Sequence, residues 1–220
     1  MKKMRETELL QKVKRICNPR RSLQITGASC IGNILVGAGK LIMGILSFSV
    51  FTCVSAFYTF GMVLAKLFAL SGISKGKSRE LQCRYYMLSG EVLIIASALY
   101  IAYSARLFFY PEVSSYHPYV GITIAAFTFT ELTLNIRGVI LECHNHTLLI
   151  HAIKMINLAS SLICLVLTQT ALLSFTHERE IGYDPSVSNG LMGVLMGSAA
   201  TLLGVIMVIR VNRIKKECSR

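Results

Sequence analysis

Few side chains in this 220-residue chain can do chemistry, and most of those interrupt long apolar runs. Five charges fall deep inside such runs, Lys40, Lys66, Glu91, Glu131 and Lys154, while Arg106 and Arg137 lie close enough to a run's end for their heads to reach the headgroups. A charge at the centre of a bilayer costs at least ~2.5–3.5 kcal/mol, so each must pair, snorkel outward or line a path. A second group is Glu142, Cys143, His144 and His146, with His151 one turn further on. These residue types suit Zn²⁺, although their spacing matches no closed site and short polar loops also collect histidines. Met62 and Cys164 carry soft sulfur, which in a helix bundle is ordinary core filler. Gly37-Ala38-Gly39-Lys40 resembles the end of a phosphate-binding loop, but Ile34 and Leu41 stand where that loop needs Gly and Ser/Thr. No nucleophile, base and acid are tied together by spacing. The chain is therefore expected to be no enzyme and to carry no cofactor.

The elements that must position these residues follow from composition. Hydrophobic residues make up 53% of the chain and charged residues 15%, where a soluble domain carries about 25%. Mean hydropathy is +0.56. The net charge of +12 crowds into the ends and short loops, without the polar surface of a nucleic-acid-binding protein. Seven cysteines with no regular spacing argue against a disulfide framework. About 20 apolar residues cross a bilayer as a helix. On that scale the runs predict six helices, at 25–47, 50–71, 86–109, 118–140, 148–175 and 187–209. The fold class is an all-α, polytopic six-helix membrane bundle. A basic N-terminal segment, 1–24, precedes the helical domain, 25–209, and a basic tail, 210–220, follows it.

Lys/Arg bias orients the bundle. With the N-terminus in the cytoplasm, the inner segments carry seventeen Lys/Arg and the outer loops only Arg179. Both termini are expected in the cytoplasm of a multi-pass cell-membrane protein, with lipid as the first partner. Counting about 1.5 Å per residue, Lys66, Glu91 and Lys154 share a layer roughly 8–9 Å below the inner surface. Glu91 is accordingly expected to pair with Lys66 or Lys154. Glu131 lies about 18 Å from the outer face, with Lys40 its nearest partner in depth. Tyr100, Tyr103, Tyr110, Tyr116 and Tyr119 gather toward the outer ends, as an interfacial belt would. Gly193, Gly197 and Thr201, spaced by four, suit close helix contact, either within the bundle or across a homodimer seam.

Several motifs resemble the cation diffusion facilitators. Asn33-(x)6-Lys40-(x)3-Gly44, then Ser49 and Val54-Ser55-Ala56-Phe57-Tyr58, are similar to that family's opening two helices. Tyr86-(x)4-Glu91-Val92-Leu93, continuing to Tyr103-Ser104-Ala105-Arg106, is similar to its third helix, and Asn135 and Asp184-Pro185 also sit where the family has them. The resemblance covers 25–210. It implies a six-helix exchanger of zinc or related metals for protons, with helix 2 facing helix 5.

The same resemblance places the metal-binding pairs at Tyr58 and Met62 on helix 2 and at Asn157 and Ser161 on helix 5, with Ser55 and Ser160 nearby. None of these is anionic, and the chain's only aspartate is Asp184, outside the spans. Residues 210–220 are too few for the family's soluble metal-sensing domain. Two functions follow: a divergent transporter of an ion or small solute with an altered or lost metal site, or a non-transporting membrane scaffold or interaction protein.

Overall fold

The computed structural model describes residues 19–46, 48–75, 78–110, 118–141, 148–177 and 185–218. Six helices account for nearly all of them: α1 (Pro19–Leu46), α2 (Val50–Lys75), α3 (Arg79–Arg106), α4 (Pro118–Leu141), α5 (Leu148–His177) and α6 (Pro185–Cys218). There is no strand among the described residues. Among the described residues, α1, α2, α3, α5 and α6 each contain a stretch apolar and long enough to cross a membrane. The 24 residues of α4 span about 36 Å, enough for a core about 30 Å thick.

Two helices are longer than their apolar runs. α3 starts at Arg79, where a beginning at 86 was expected, because Ser78 caps it: the Ser78 hydroxyl accepts from the Leu81 amide at 3.3 Å. The charged residues 79–85 thus form its first two turns. α6 likewise continues as helix to Cys218, so most of the basic tail prolongs the last span. Length beyond about 20 residues carries both helices out of the hydrocarbon.

α1, α2, α5 and α4 close a four-membered ring, each packing on the next, and α4 returns to α1. α3 and α6 form a second pair, set against α2 and α5. The outer surface is apolar: Ile31, Leu35 and Ile42 on α1, and Leu202, Ile206 and Ile209 on α6, are exposed. The polar residues Asn33, Lys40, Thr59, Lys66, Glu131, Asn135 and Asn157 are buried. This inversion is expected where the solvent is lipid, since apolar side chains gain little by leaving it and polar ones lose much by entering it.

The small residues of α6 are spent inside the bundle. A Cβ added at Gly193 would lie 2.7 Å from Ser104 Cβ, and one at Gly197 2.6 Å from Ile101 Cγ1. Gly204 and Gly90 face each other, each within 3.4 Å of the other's carbonyl oxygen once a Cβ is added. These glycines set the α3–α6 approach, which leaves no room at them for a dimer seam. The tyrosine belt also needs correction. Tyr110 and Tyr119 are exposed, but Tyr100 is 1% exposed and packs its ring against Phe51 and Tyr58. Tyr116 lies outside the described residues.

Gly204→Leu should destabilise the bundle by about 1–3 kcal/mol, because its new Cβ meets Ile94 Cγ1 at 2.7 Å and the Gly90 carbonyl, which is backbone and cannot step aside. Gly27→Ala, which meets nothing within 4 Å, should be near neutral. Denaturant unfolding in mixed micelles checks both. Equal stability of the two variants would contradict the packing described.

Candidate functional site

Four helices turn their polar residues into the ring. On α1, Asn33 and Lys40 are seven residues apart and share one face. Thr59 and Lys66 repeat that spacing on α2. Glu131 and Asn135, four apart, do the same on α4, and Asn157, Ser160 and Cys164 follow on α5. All of these side chains are buried, with Lys40 and Glu131 each 1% exposed and Lys66 fully enclosed.

They assemble in two layers. In the deeper one, Lys40 Nζ forms an ion pair with Glu131 Oε2. The other carboxylate oxygen accepts from Ser160 Oγ at 3.0 Å and from Thr59 Oγ1 at 3.4 Å. Lys40 also lies 3.4 Å from Thr59 Oγ1. In the second layer, Lys66 Nζ donates to Asn135 Oδ1 at 3.1 Å. With the Asn33 amide oriented by its partners, its carbonyl accepts from Lys66 at 2.7 Å and its NH₂ donates to the Ser29 carbonyl at 3.2 Å. One ammonium therefore sits on a carboxylate and the other on two amide carbonyls. The first layer ties together all four helices of the ring, and the second ties α1, α2 and α4.

Not every polar atom here is satisfied. Asn135 Nδ2, Asn157 Oδ1, Ser55 Oγ and the Tyr58 hydroxyl are buried and make no hydrogen bond in the structure. Buried polar groups are normally partnered, and each exception asks for a physical reason. The exceptions continue on α3, at Ser97, Tyr100 and Ser104. Their spacing of three and four residues puts them on one side of that helix.

The four positions matched to the metal site have separate uses. Tyr58 packs its ring at a tilt of 57° against Tyr100 of α3, with 5.6 Å between ring centroids. Met62 is wholly enclosed in the apolar core. Ser161 Oγ donates to the carbonyl of Asn157 in its own helix at 2.9 Å, and the Asn157 side-chain carbonyl stays open. α2 does pack on α5. No anionic ligand stands at the four positions, and no three His, Cys, Asp or Glu side chains gather into a metal site among the described residues. These residues do not fit zinc.

His151 is hydrogen-bonded through Nδ1 to the Tyr86 hydroxyl at 2.9 Å, a partnership between α5 and α3. The remaining members of the histidine group, Glu142, Cys143, His144 and His146, lie outside the described residues.

The expected clamp on Glu91 is corrected. No ion pair joins Glu91 to Lys66 or Lys154. The buried side of α3 runs through Tyr86, Gly90, Leu93, Ser97, Tyr100 and Ser104. Glu91 falls off that line and borders an open groove with Arg84 and Lys215. Lys66 points into the ring, and Lys154 is half-buried near the start of α5. Equal depth was therefore not enough, because the side chains leave their helices in different directions. Thr59 and Ser160 complete the Glu131 site. Thr59 is seven residues before Lys66, which is the signal that marks it.

Buried charge, closed ring and lipid-facing apolar surface together define an integral membrane protein of the polytopic helical-bundle class. No model of a known protein family matches the chain, and no curated protein matches it significantly.

Lys40→Met should cost about 3–5 kcal/mol, since it leaves the Glu131 carboxylate buried without its ammonium. The double variant Lys40→Met/Glu131→Met should recover most of this loss, because both charges leave together. A double variant as unstable as the single one would show that the two residues are not energetically coupled. Unfolding titrations of the three proteins decide it.

Proposed function

We propose that the protein is a divergent transporter of the cation-diffusion-facilitator type, moving an ion or small polar solute through the α1–α2–α4–α5 ring. The observation that carries the proposal is the set of unpartnered polar atoms, Asn135 Nδ2, Asn157 Oδ1 and the Tyr58 hydroxyl, buried on α4, α5 and α2 of the ring that encloses the Lys40–Glu131 ion pair. A clamp that served only stability would gain by satisfying or removing them. A passing solute would use them. The α2–α5 contact and the placement of Asn33 and Asn135 in one layer also agree with the resemblance to that family.

The substrate differs from zinc on this reading. Lys40 and Lys66 already hold the carboxylate and amide oxygens that a divalent cation would need. Passage requires the Lys40–Glu131 pair to part, which gives the cycle a closed state held by a tethered cation. By the Lys/Arg bias, both termini face the cytoplasm and the protein resides in the cell membrane.

One observation favours the scaffold reading instead. Both oxygens of Glu131 are engaged, by Lys40 on one side and by Ser160 and Thr59 on the other. Flux assays in proteoliposomes separate the two, using a panel of divalent metals, monovalent cations and small polar solutes. For at least one solute, flux should exceed that of empty liposomes and fall to background in Glu131→Gln. The Lys40→Met/Glu131→Met protein should be folded yet inactive. Full flux in that double variant would assign the pair to a structural clamp, and no flux across the panel would favour the scaffold.

A further inference from the structure

Away from the ring, a groove of about 340 Å³ opens at the end of the bundle where α3 and α5 begin and α6 ends. Arg79 and Gln82 of α3, Leu148 of α5, and Arg210 and Ile214 of α6 line it. Both arginines are exposed, and among the described residues no carboxylate lines this groove. Its level in the membrane follows from the spans. Arg79 and Leu148 are the first residues of two of them, and Arg210 lies 24 residues beyond Ser186, about 36 Å along α6. The groove therefore sits where hydrocarbon gives way to headgroups.

We infer that this groove binds a phosphate group, and specifically the phosphodiester of an anionic membrane lipid. Guanidinium forks match phosphate oxygens bidentately, and Arg79 and Arg210 come from different helices to border one concavity. The first residues of α3 and α5 line it, so both helix dipoles add positive potential. Leu148 and Ile214 offer apolar surface beside the charges, which suits the glycerol and upper acyl segments of a lipid and has no use for a free anion. Basic pockets between spans at a membrane surface are known to take lipid headgroups. The site is independent of whether the ring transports anything.

Charge alone would attract anionic lipid diffusely, so the experiment must separate a site from a field. The full chain is reconstituted in nanodiscs of phosphatidylcholine containing increasing phosphatidylglycerol, and bound phosphatidylglycerol is counted by native mass spectrometry. Arg79→Ala/Arg210→Ala should weaken binding about tenfold. Arg84→Ala/Lys215→Ala removes the same charge from the same two helices, but at the other groove beside Glu80 and Glu91. It should weaken binding less than about twofold. Arg79→Lys/Arg210→Lys should fall between, since charge is kept and the fork is lost.

All four substituted positions, Arg79, Arg84, Arg210 and Lys215, are exposed, and near-wild-type thermal unfolding of each variant confirms folding. Equal losses in the two alanine pairs would overturn the proposal in favour of a diffuse field, as would no loss in either. A parallel arm adds inorganic phosphate to the protein in neutral detergent. If phosphate bound there with the same dependence on Arg79 and Arg210, and phosphatidylglycerol did not compete, the lipid assignment would be wrong.

Discussion

The Lys40–Glu131 ion pair governs the interior of this bundle. In lipid, apolar side chains do not drive helices together, so specific polar contacts and close backbone packing must do it. A carboxylate enclosed among α1, α2, α4 and α5 fixes which sides of those helices face inward. Once Glu131 and Lys40 meet, Asn135 one turn away on α4 and Asn33 two turns away on α1 are brought to Lys66. The second layer is a geometric consequence of the first. Breaking the pair on one side leaves a charge with nowhere to go, whereas exchanging both sides for apolar groups does not.

The other half of the molecule is held by different means. α3 and α6 meet through Gly90, Gly193, Gly197 and Gly204, where backbones approach closely enough for dispersion to act over their length. Four helices are therefore joined by charge and two by close contact. Both partners meet on the buried side of α3, where Tyr100 packs against Phe51 and Tyr58 of α2 and Ser104 lies against Gly193 of α6.

Much of this was legible in the residues, for reasons that can be named. Six helices follow from apolar run length, and the Lys40–Glu131 pair follows from depth combined with the scarcity of other partners. The seven-residue spacing of Asn33 and Lys40 and the four-residue spacing of Glu131 and Asn135 already mark two inward faces. Glu91 shows where such inference stops. A helix that is apolar on both its lipid side and its packed side gives no periodic sign of which is which, so a charge can be placed in depth but not in azimuth. Tyr100 was misplaced for the same reason. The early start of α3 was available in principle, since Ser78 three residues before Leu81 is a capping signal, but the charged run after it resembled a loop.

The connection between α1 and α2 constrains how the ring can rearrange. It is only residues 47–49 long, and Phe48 adopts φ 50°, a left-handed backbone that a bulky residue seldom takes. The Ser49 amide donates to the Gly44 carbonyl at 2.9 Å, and a Cβ at Gly44 would fall 3.0 Å from the Cys53 amide nitrogen. The two helices are thus pinned together at this end like the blades of a closed hinge. Any widening of the ring there must carry α1 and α2 as one rigid leaf and part them from α4 and α5. That parting line runs between Lys40 and Glu131, so their buried ion pair lies as a lock across the natural seam of the ring.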